Sequence, residues 1–334
     1  MRLERSRAKG LLDRLKGRKV VVLGDLMLDE YLFGEVNRIS PEAPVPIVRV
    51  LRERAVLGGA ANVAANLKAI GAEPVLVGTF QNDTAGRRLL DLLVQQEIPV
   101  EGLVLDSSRP TIIKTRIMGQ QQQMLRLDRE EPGPMDGEAI EGLVASLERA
   151  VSEAGAVVVS DYAKGVVGEE VLGAVRDLCG ATGIPWIVDP KPAHGAFYRG
   201  ASLLTPNTRE LAELAGQPAW TDEEVVRAGA RLMEALELGG VLVTRSERGM
   251  ALLDAASAPE GPWLIPTEAR EVFDVSGAGD TVVAVCAAAI AAGADWKDAA
   301  MLANAAAGLV VGKMGTATVT PAELLGRYQE QQAN

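Results

Sequence analysis

The segment Asp274-Val275-Ser276-Gly277-Ala278-Gly279-Asp280, directly ahead of an apolar run, is where residue type and spacing point most clearly to chemistry. Small residues before a helix let backbone N–H groups close on an anion, and the helix dipole adds a favourable field. A carboxylate one step further on can take a proton from an attacking hydroxyl. An anion cradle and a positioned base are what phosphoryl transfer asks of a protein. The same residues also suit a plain Gly-rich turn with Asp280 in the first helical turn, where a carboxylate is stabilised in any case. No Gly-Lys-Ser/Thr follows, so the segment is not a Walker A loop.

Other polar residues recur where short β-branched runs stop. Val20–Leu23 runs into GDLMLDE, Val157–Val159 into SDYAKG, Ile187–Val188 into DPK, Leu203–Leu204 into TPNTRE and Val241–Val243 into TRSERG. In an open parallel sheet, ligands bind beyond the carboxyl ends of the strands. Five such ends, with Lys164 and Lys191 among them, favour a site there. His194 is the only histidine, so a general base is that residue or, more readily, a carboxylate, Lys or Cys. Its setting, PKPAHGAF, reads as a surface loop.

The elements that must hold these residues alternate. Strands are expected at Val20–Leu23, Val75–Val77, Ala156–Val159, Trp186–Val188, Leu203–Leu204 and Val241–Val243. Helical spacing is expected over Gly59–Ile70, Thr84–Gln96, Glu169–Cys179, Glu223–Leu238, Ala278–Ala292 and Lys297–Gly312. That alternation predicts an α/β fold with a mostly parallel sheet covered on both faces. Two segments break the rhythm, residues 31–54 and 111–127, and both alternate like strands outside the main sheet. They read either as surface hairpins or as a small sheet that lids a site or pairs two subunits. No linker splits the chain, so residues 1–334 are expected to form one domain.

Composition narrows the function classes. The formal net charge of −11 argues against a sequence-independent grip on nucleic acid, which needs a basic stripe. Cys179 and Cys286 lie far apart and outside any CxxC pair, which argues against a zinc site or disulfide framework and fits a cytoplasmic setting. The charged N-terminus, MRLERSRAKG, lacks the apolar stretch of a secretory signal. The longest apolar run, Val282 to Ala292, is too short to cross a bilayer.

These motifs carry a resemblance. DVSGAGDT is similar to the second signature of the ribokinase family, also called the PfkB carbohydrate kinases. GGAANVAANLKAIGA resembles its first signature, and TPNTRE its NxxE motif. The three occur in family order, and the likeness extends from about Val20 to Pro321. Where many members read DTxGAGD, this chain has Val275 in place of the Thr. GDLMLDEYLFGEVNRISPEAPVPIV, SDYAKG, LLTPN, LVTRSERGM and ANAAAGLVVGKMGT together resemble the branch that phosphorylates heptose 7-phosphate in ADP-heptose synthesis, a route to lipopolysaccharide core precursors. Many kinases of that branch are fused to an adenylyltransferase with an HxGH-type motif. A single histidine cannot supply one, so a stand-alone kinase is expected.

The resemblance implies a ribokinase-like three-layer α/β/α sandwich with a small β-sheet lid, and it implies roles. Asp280 would be the base, with Gly277, Ala278 and Gly279 forming the anion hole. Asp29, Gly58, Gly59 and Asn62 would meet the sugar, while Asp25 suits a sugar contact or a turn cap equally. Lys114, Arg116, Arg126, Lys164 and Lys191 are candidates for the substrate phosphate, because charge-assisted bonds to phosphate are strong, and Asp161 is expected among the substrate-binding residues. Asn207 and Glu210 would act near the ATP phosphates, Glu210 organising Mg²⁺ through water. Thr244, Ser246, Gly249 and Asn304 would border the nucleotide, and Asp274 a monovalent cation. ATP and a sugar phosphate are the expected partners, with no nucleic acid or membrane, and a homodimer joined through the lid is expected. The alternatives are a kinase for another sugar or sugar phosphate, and a sugar-binding pseudokinase regulator.

Overall fold

The computed structural model describes residues 3–119, 122–131, 133, 135–255, 261–269 and 271–330. After α1 (Arg5–Leu15), β1 (Lys19–Gly24) enters the main sheet. The chain leaves as a long hairpin, β2 (Leu26–Ile39) and β3 (Pro46–Gly59), and returns through α2 (Ala60–Ile70), β4 (Glu73–Phe80), α3 (Thr84–Gln95) and β5 (Leu103–Leu105). A second excursion, β6 (Ile112–Gly119) and β7 (Gln122–Arg129), precedes α4 (Gly137–Val151). Then come β8 (Ala156–Ser160), α5 (Glu169–Thr182), β9 (Trp186–Asp189), β10 (Leu203–Leu204), α6 (Thr208–Ala215), α7 (Asp222–Leu236) and β11 (Gly240–Thr244). β12 (Met250–Asp254) and β13 (Trp263–Ile265) extend the sheet, and α8 (Ala278–Ala291), α9 (Trp296–Val310) and α10 (Pro321–Glu330) follow.

The main sheet runs β13-β12-β11-β10-β9-β8-β1-β4-β5. From β11 to β5 every pairing is parallel, and β12 and β13 add an antiparallel edge. Strand alternation splits the core into two layers. Val20 and Val22 face a cluster containing Leu67 of α2, Val283 of α8 and Leu302 of α9. Val21 and Leu23 face one containing Leu143 of α4, Val175 of α5 and Val225 of α7. The result is the expected three-layer α/β/α sandwich. α8 is apolar all round and buried from Asp280 to Ala289, so it lies inside its layer rather than on the surface. Its first turn is thereby fixed at the carboxyl edge of the sheet. Among the described residues, no helix is long and apolar enough to cross a membrane.

The two arrhythmic segments form a second sheet of four strands, β3-β2-β6-β7, with β2 and β6 parallel and the other pairs antiparallel. Their strands run beyond the expected 31–54 and 111–127, because β2 starts two residues after β1 ends and β3 runs into α2. Residues 120 and 121 of the second segment lie outside the described residues. The register sets Tyr31 beside Arg54 and Arg116, and Arg116 beside Arg126. Asp29, Lys114 and Asp128 form the next row on that face.

Candidate active site

Asp280 sits in the first turn of α8, buried. One carboxylate oxygen accepts from Asn62 Nδ2 at 2.6 Å, the other from the Tyr162 hydroxyl at 2.7 Å. Burial pushes its pKa up to about 6, against the pull of these two donors, with Asp29 adding to the rise and Lys114 opposing it. A carboxyl tuned toward neutrality is suited to take a proton near physiological pH. At this end of the helix the intrahelical bonds begin with Thr281 N donating to Gly277 O. The amides of Gly279 and Asp280 thus precede the intrahelical ladder, where a helix leaves its N–H groups open to an anion. Gly277 has φ +77°, and a Cβ there would come 2.8 Å from Asn62 Nδ2, so a side chain would disturb the donor that holds Asp280. Asp274 caps the turn, accepting from Ser276 N and Gly315 N, both at 2.9 Å. Burial pushes the Asp274 carboxyl up, yet the two amides and the Arg116 guanidinium outweigh it and hold it below the usual range.

On one side of this turn lies a cavity of about 390 Å³, lined by Thr244, Ser246, Gly249, Ala278, Gly279 and Asn304, with Met250, Val275 and Val311 supplying apolar wall. A cleft of this size, mostly apolar with a few polar groups, suits a purine nucleoside. Asn304 donates to Pro266 O at 2.8 Å, which fixes the amide at the wall.

On the other side lies the four-stranded sheet. Asp29 is buried and accepts from Arg116 at 2.5 Å. Gly58 packs against that carboxylate, where a Cβ would come 2.5 Å from Asp29 Oδ2. Gly59 has φ +58° and lies against the Asp25 carbonyl, where a Cβ would come within 2.3 Å; the close turn from β3 into α2 therefore requires glycine. Lys114 is half-buried, and among the described residues no carboxylate lies within ion-pair distance of its Nζ. Burial, helped by Lys164 and Arg126, pulls its ammonium below the usual lysine range.

The other expected residues are distributed unevenly. Arg126 is half-exposed on β7 and paired with Asp128. Lys164 pairs with Glu130, and Lys191 with Glu210. Asn207 and Glu210 form a capping box at the start of α6, with the Glu210 carboxylate accepting from Asn207 N at 3.1 Å. Asp161, expected among the acceptor residues, is wholly buried and its carboxylate is taken by Tyr198 Oη at 2.5 Å, His194 Nδ1 at 2.6 Å and Ala163 N at 2.7 Å. Asp25 is likewise spent, accepting from the amides of Tyr162, Lys164 and Val166, so turn capping is the work it does. His194 is not a bare loop residue: it lies in a 3₁₀ turn, Pro192–Tyr198, half-buried against Asp161.

Two residues at the site had no role in the sequence reading. Tyr162 reaches Asp280, and its ring lies under Lys114 Nζ at 5.1 Å and Lys191 Nζ at 5.7 Å. Asp189 ends β9, where burial, Glu210 and Asp280 push its pKa well above the usual carboxylate range. Both stand in the strand-end segments SDYAKG and DPK, which is the one signal that marked them.

Residues 18–323 match the family described as pfkB family carbohydrate kinase. The chain is 47% identical over 315 residues to the bifunctional protein HldE of Paramagnetospirillum magneticum, covering 94% of this chain and 64% of that one. It therefore spans less than two thirds of that relative's length. It is 46% identical over 316 residues to the D-beta-D-heptose 7-phosphate kinase of Bordetella bronchiseptica, covering 94% of this chain and 97% of that one. Among solved structures, Arabidopsis thaliana ribokinase complexed with ribose and ATP superposes with a TM-score of 0.71 at 23% identity, covering 94% of this chain and 99% of the other, a likeness of fold.

Proposed function

The chain belongs to the pfkB family of carbohydrate kinases, and from that premise we propose that it transfers the γ-phosphoryl group of ATP to the anomeric hydroxyl of D-glycero-β-D-manno-heptose 7-phosphate, giving the 1,7-bisphosphate of ADP-heptose biosynthesis. The observation that carries the reading is Asp280, a buried carboxylate without a cationic ion-pair partner among the described residues, set between a nucleoside-sized cavity and the Asp29–Lys114 face. The acceptor is supported by the Bordetella bronchiseptica relative, which matches over nearly the full length of both chains.

In this mechanism Asp280 takes the proton of the anomeric hydroxyl as that oxygen bonds to phosphorus. The bond from phosphorus to the ADP oxygen breaks, and its electron pair leaves with ADP. The amides of Gly279 and Asp280, following Gly277 and Ala278, stabilise charge on the transferred group. Asp29, Gly58, Gly59 and Asn62 orient the sugar hydroxyls. Lys114 is the first choice for the 7-phosphate, since its ammonium needs no ion pair broken to receive it; Arg116 is second, on the same face of the sheet but paired with Asp29, and Arg126, Lys164 and Lys191 likewise already hold carboxylates. Thr244, Ser246, Gly249 and Asn304 hold the nucleoside. Asn207 and Glu210 would hold Mg²⁺ through water, and bound Mg²⁺ would supply neutralisation of the phosphate oxygens. The residues fit such an ion. Burial, with Glu210 and Asp280 nearby, pushes the Asp189 carboxyl well above its usual range, a carboxylate excess that a divalent cation would offset, while no three acidic groups among the described residues are close enough to cage it alone. Asp274 and the loop at Gly315 would hold a monovalent cation. The reading treats residues 1–334 as a single cytoplasmic kinase unit, a setting supported by the two free, buried cysteines. It also pairs two copies through the four-stranded sheet.

The test is ADP release with heptose 7-phosphate, free heptose, ribose and fructose as acceptors. Strong preference for the sugar phosphate is expected, because a half-buried cation left without its anion discriminates well. Equal efficiency with ribose or fructose would move the assignment to a general sugar kinase, and no turnover with any acceptor would favour a binding protein.

A further inference from the structure

Tyr162 is the least explained group at the site. It follows β8 and Asp161 in a loop that is pinned from two sides. Asp25 takes three of its amides, those of Tyr162, Lys164 and Val166, at 2.9, 3.1 and 3.0 Å. Asp161 takes the Ala163 amide and is itself fixed by Tyr198 and His194. Ala163 is held at φ +54°, a conformation that costs free energy for a residue with a Cβ. Two wholly buried carboxylates and a strained residue therefore hold one short loop. What the loop projects into the site is the Tyr162 ring, whose hydroxyl meets Asp280 Oδ1 at 2.7 Å.

We propose that Tyr162 is a positioning residue for the base: its hydroxyl donates to Asp280, turns the carboxylate toward the acceptor and keeps it ionised in the resting enzyme. The inference rests on Asp280 being the base. Asn62 holds the other oxygen, so the two donors together fix the carboxylate plane and leave each oxygen a lone pair for the incoming hydroxyl. The groups facing Asp280 are Asn62 on α2, Asp29 on β2, Lys114 on β6, Asp189 at the end of β9 and Tyr162 itself. The Tyr162 phenol is surrounded by carboxylates: burial first, then Asp280 and Asp189, raise its pKa well above the usual value, so it stays protonated and can only donate. A hydrogen bond to the charged form favours that form. The bond is strongest to ionised Asp280 and weakens once Asp280 has taken the proton. Tyr162 thus trades some base strength for a base that is ready at lower pH and points one way.

The experiment is kcat/KM for the acceptor against pH, for wild type, Tyr162→Phe, and the enzyme carrying 3-fluorotyrosine at position 162, with Asp280→Asn alongside. Substrate ionisations are common to all and cancel in the comparison. The acid limb of wild type should lie near the Asp280 value of about 6. In Tyr162→Phe it should move up by about one to two pH units, the worth of a hydrogen bond to a charged group, with the KM for ATP little changed. Fluorination acidifies the phenol and strengthens its donation, so the limb should move the other way. A structural role for the ring would move neither. An acid limb unmoved in Tyr162→Phe overturns the proposal; if that variant does not fold, an unmoved limb with 3-fluorotyrosine does so instead. Asp280→Asn separates the two levels. If it stays active, the base reading itself fails. If it is inert while the limbs coincide, only the role of Tyr162 fails.

Discussion

The two sheets of this molecule are built to opposite standards. β1 is buried at five of its six positions, whereas β7 is exposed at all eight, so the main sheet is held by two core layers, while the smaller one is rooted in the core at the bases of β2 and β3, near Leu26 and Leu57, and its outer strand is held by little beyond its own ladder. The proposed chemistry is divided along the same line. Asp280, its two donors and the anion-facing amides belong to the rigid frame, while Asp29, Lys114 and Arg116 ride on the thin sheet. A base must be placed within fractions of an ångström, and a rigid frame does that. A surface that receives an acceptor gains from being able to close on it. Substitutions in the frame should therefore be felt in turnover or folding, and those in the smaller sheet in acceptor affinity and assembly.

The largest expected effect is in the frame. Asp280→Asn should keep the fold and ATP binding and lose turnover by about 10²–10⁴-fold, the worth of a positioned general base. Calorimetry for ATP and a turnover assay read the two halves of that statement. Turnover within a factor of about three of wild type would sink the assignment.

Next in size is a matched pair of truncations. Leu23→Ala removes a wholly buried side chain from β1 and should cost roughly 2–5 kcal/mol of unfolding free energy. Leu125→Ala, in a side chain 52% exposed on β7, should change it by less than about 0.5 kcal/mol. Equal losses in urea melts would erase the contrast between the sheets. Smaller again, Lys114→Met should lower kcat/KM for a phosphorylated acceptor by about 10- to 100-fold, from loss of one charge-assisted contact. The KM for ATP should hold. An unchanged acceptor KM would shift the phosphate role to Arg116.

How much of this was legible follows the same division. The frame announces itself locally: β-branched runs gave strands whose ends fall within three residues of those observed, and the Gly-rich turn before an apolar helix marked α8. What went unread depends on contacts that no local pattern encodes. Tyr162 and Asp280 are 118 residues apart, and Asn62 and Asp280 are 218 apart. α1, α4, α6 and α10, and the antiparallel edge β12–β13, escaped because nothing in the βα alternation requires them. The strand-end rule marked Asp25, Asp161 and Asp189 alike as polar residues on the active edge. Only the fold separates two that cap a loop from one that faces other carboxylates. His194 misled for a related reason: a Pro/Gly-rich stretch reads as surface, yet its 3₁₀ turn leans on a buried aspartate.

The smallest effect on a single chain, and the sharpest test of the thin sheet, is assembly. Strand register puts Tyr31, Arg116 and Arg126 in one row, and alternation sends Leu32, Ile117 and Leu125 to the opposite face. Leu127 is on that second face as well, and Leu125 and Leu127 are each about half-exposed. A sheet of four strands with one apolar face and open edges is poorly stable alone, and a second copy of the same sheet covers both liabilities under two-fold symmetry, the commonest arrangement. Light scattering at low micromolar concentration should then give a mass near twice the 35.2 kDa of one chain. Leu125→Glu combined with Leu127→Glu should return it to one chain while leaving the melting of the main sheet in place. Because Asp29 and Lys114 lie on the other face of the same thin sheet, the separated chain should lose acceptor affinity before it loses ATP affinity. A wild-type chain that runs at single mass and is fully active would refute the paired arrangement and leave the sheet as a flap over the sugar.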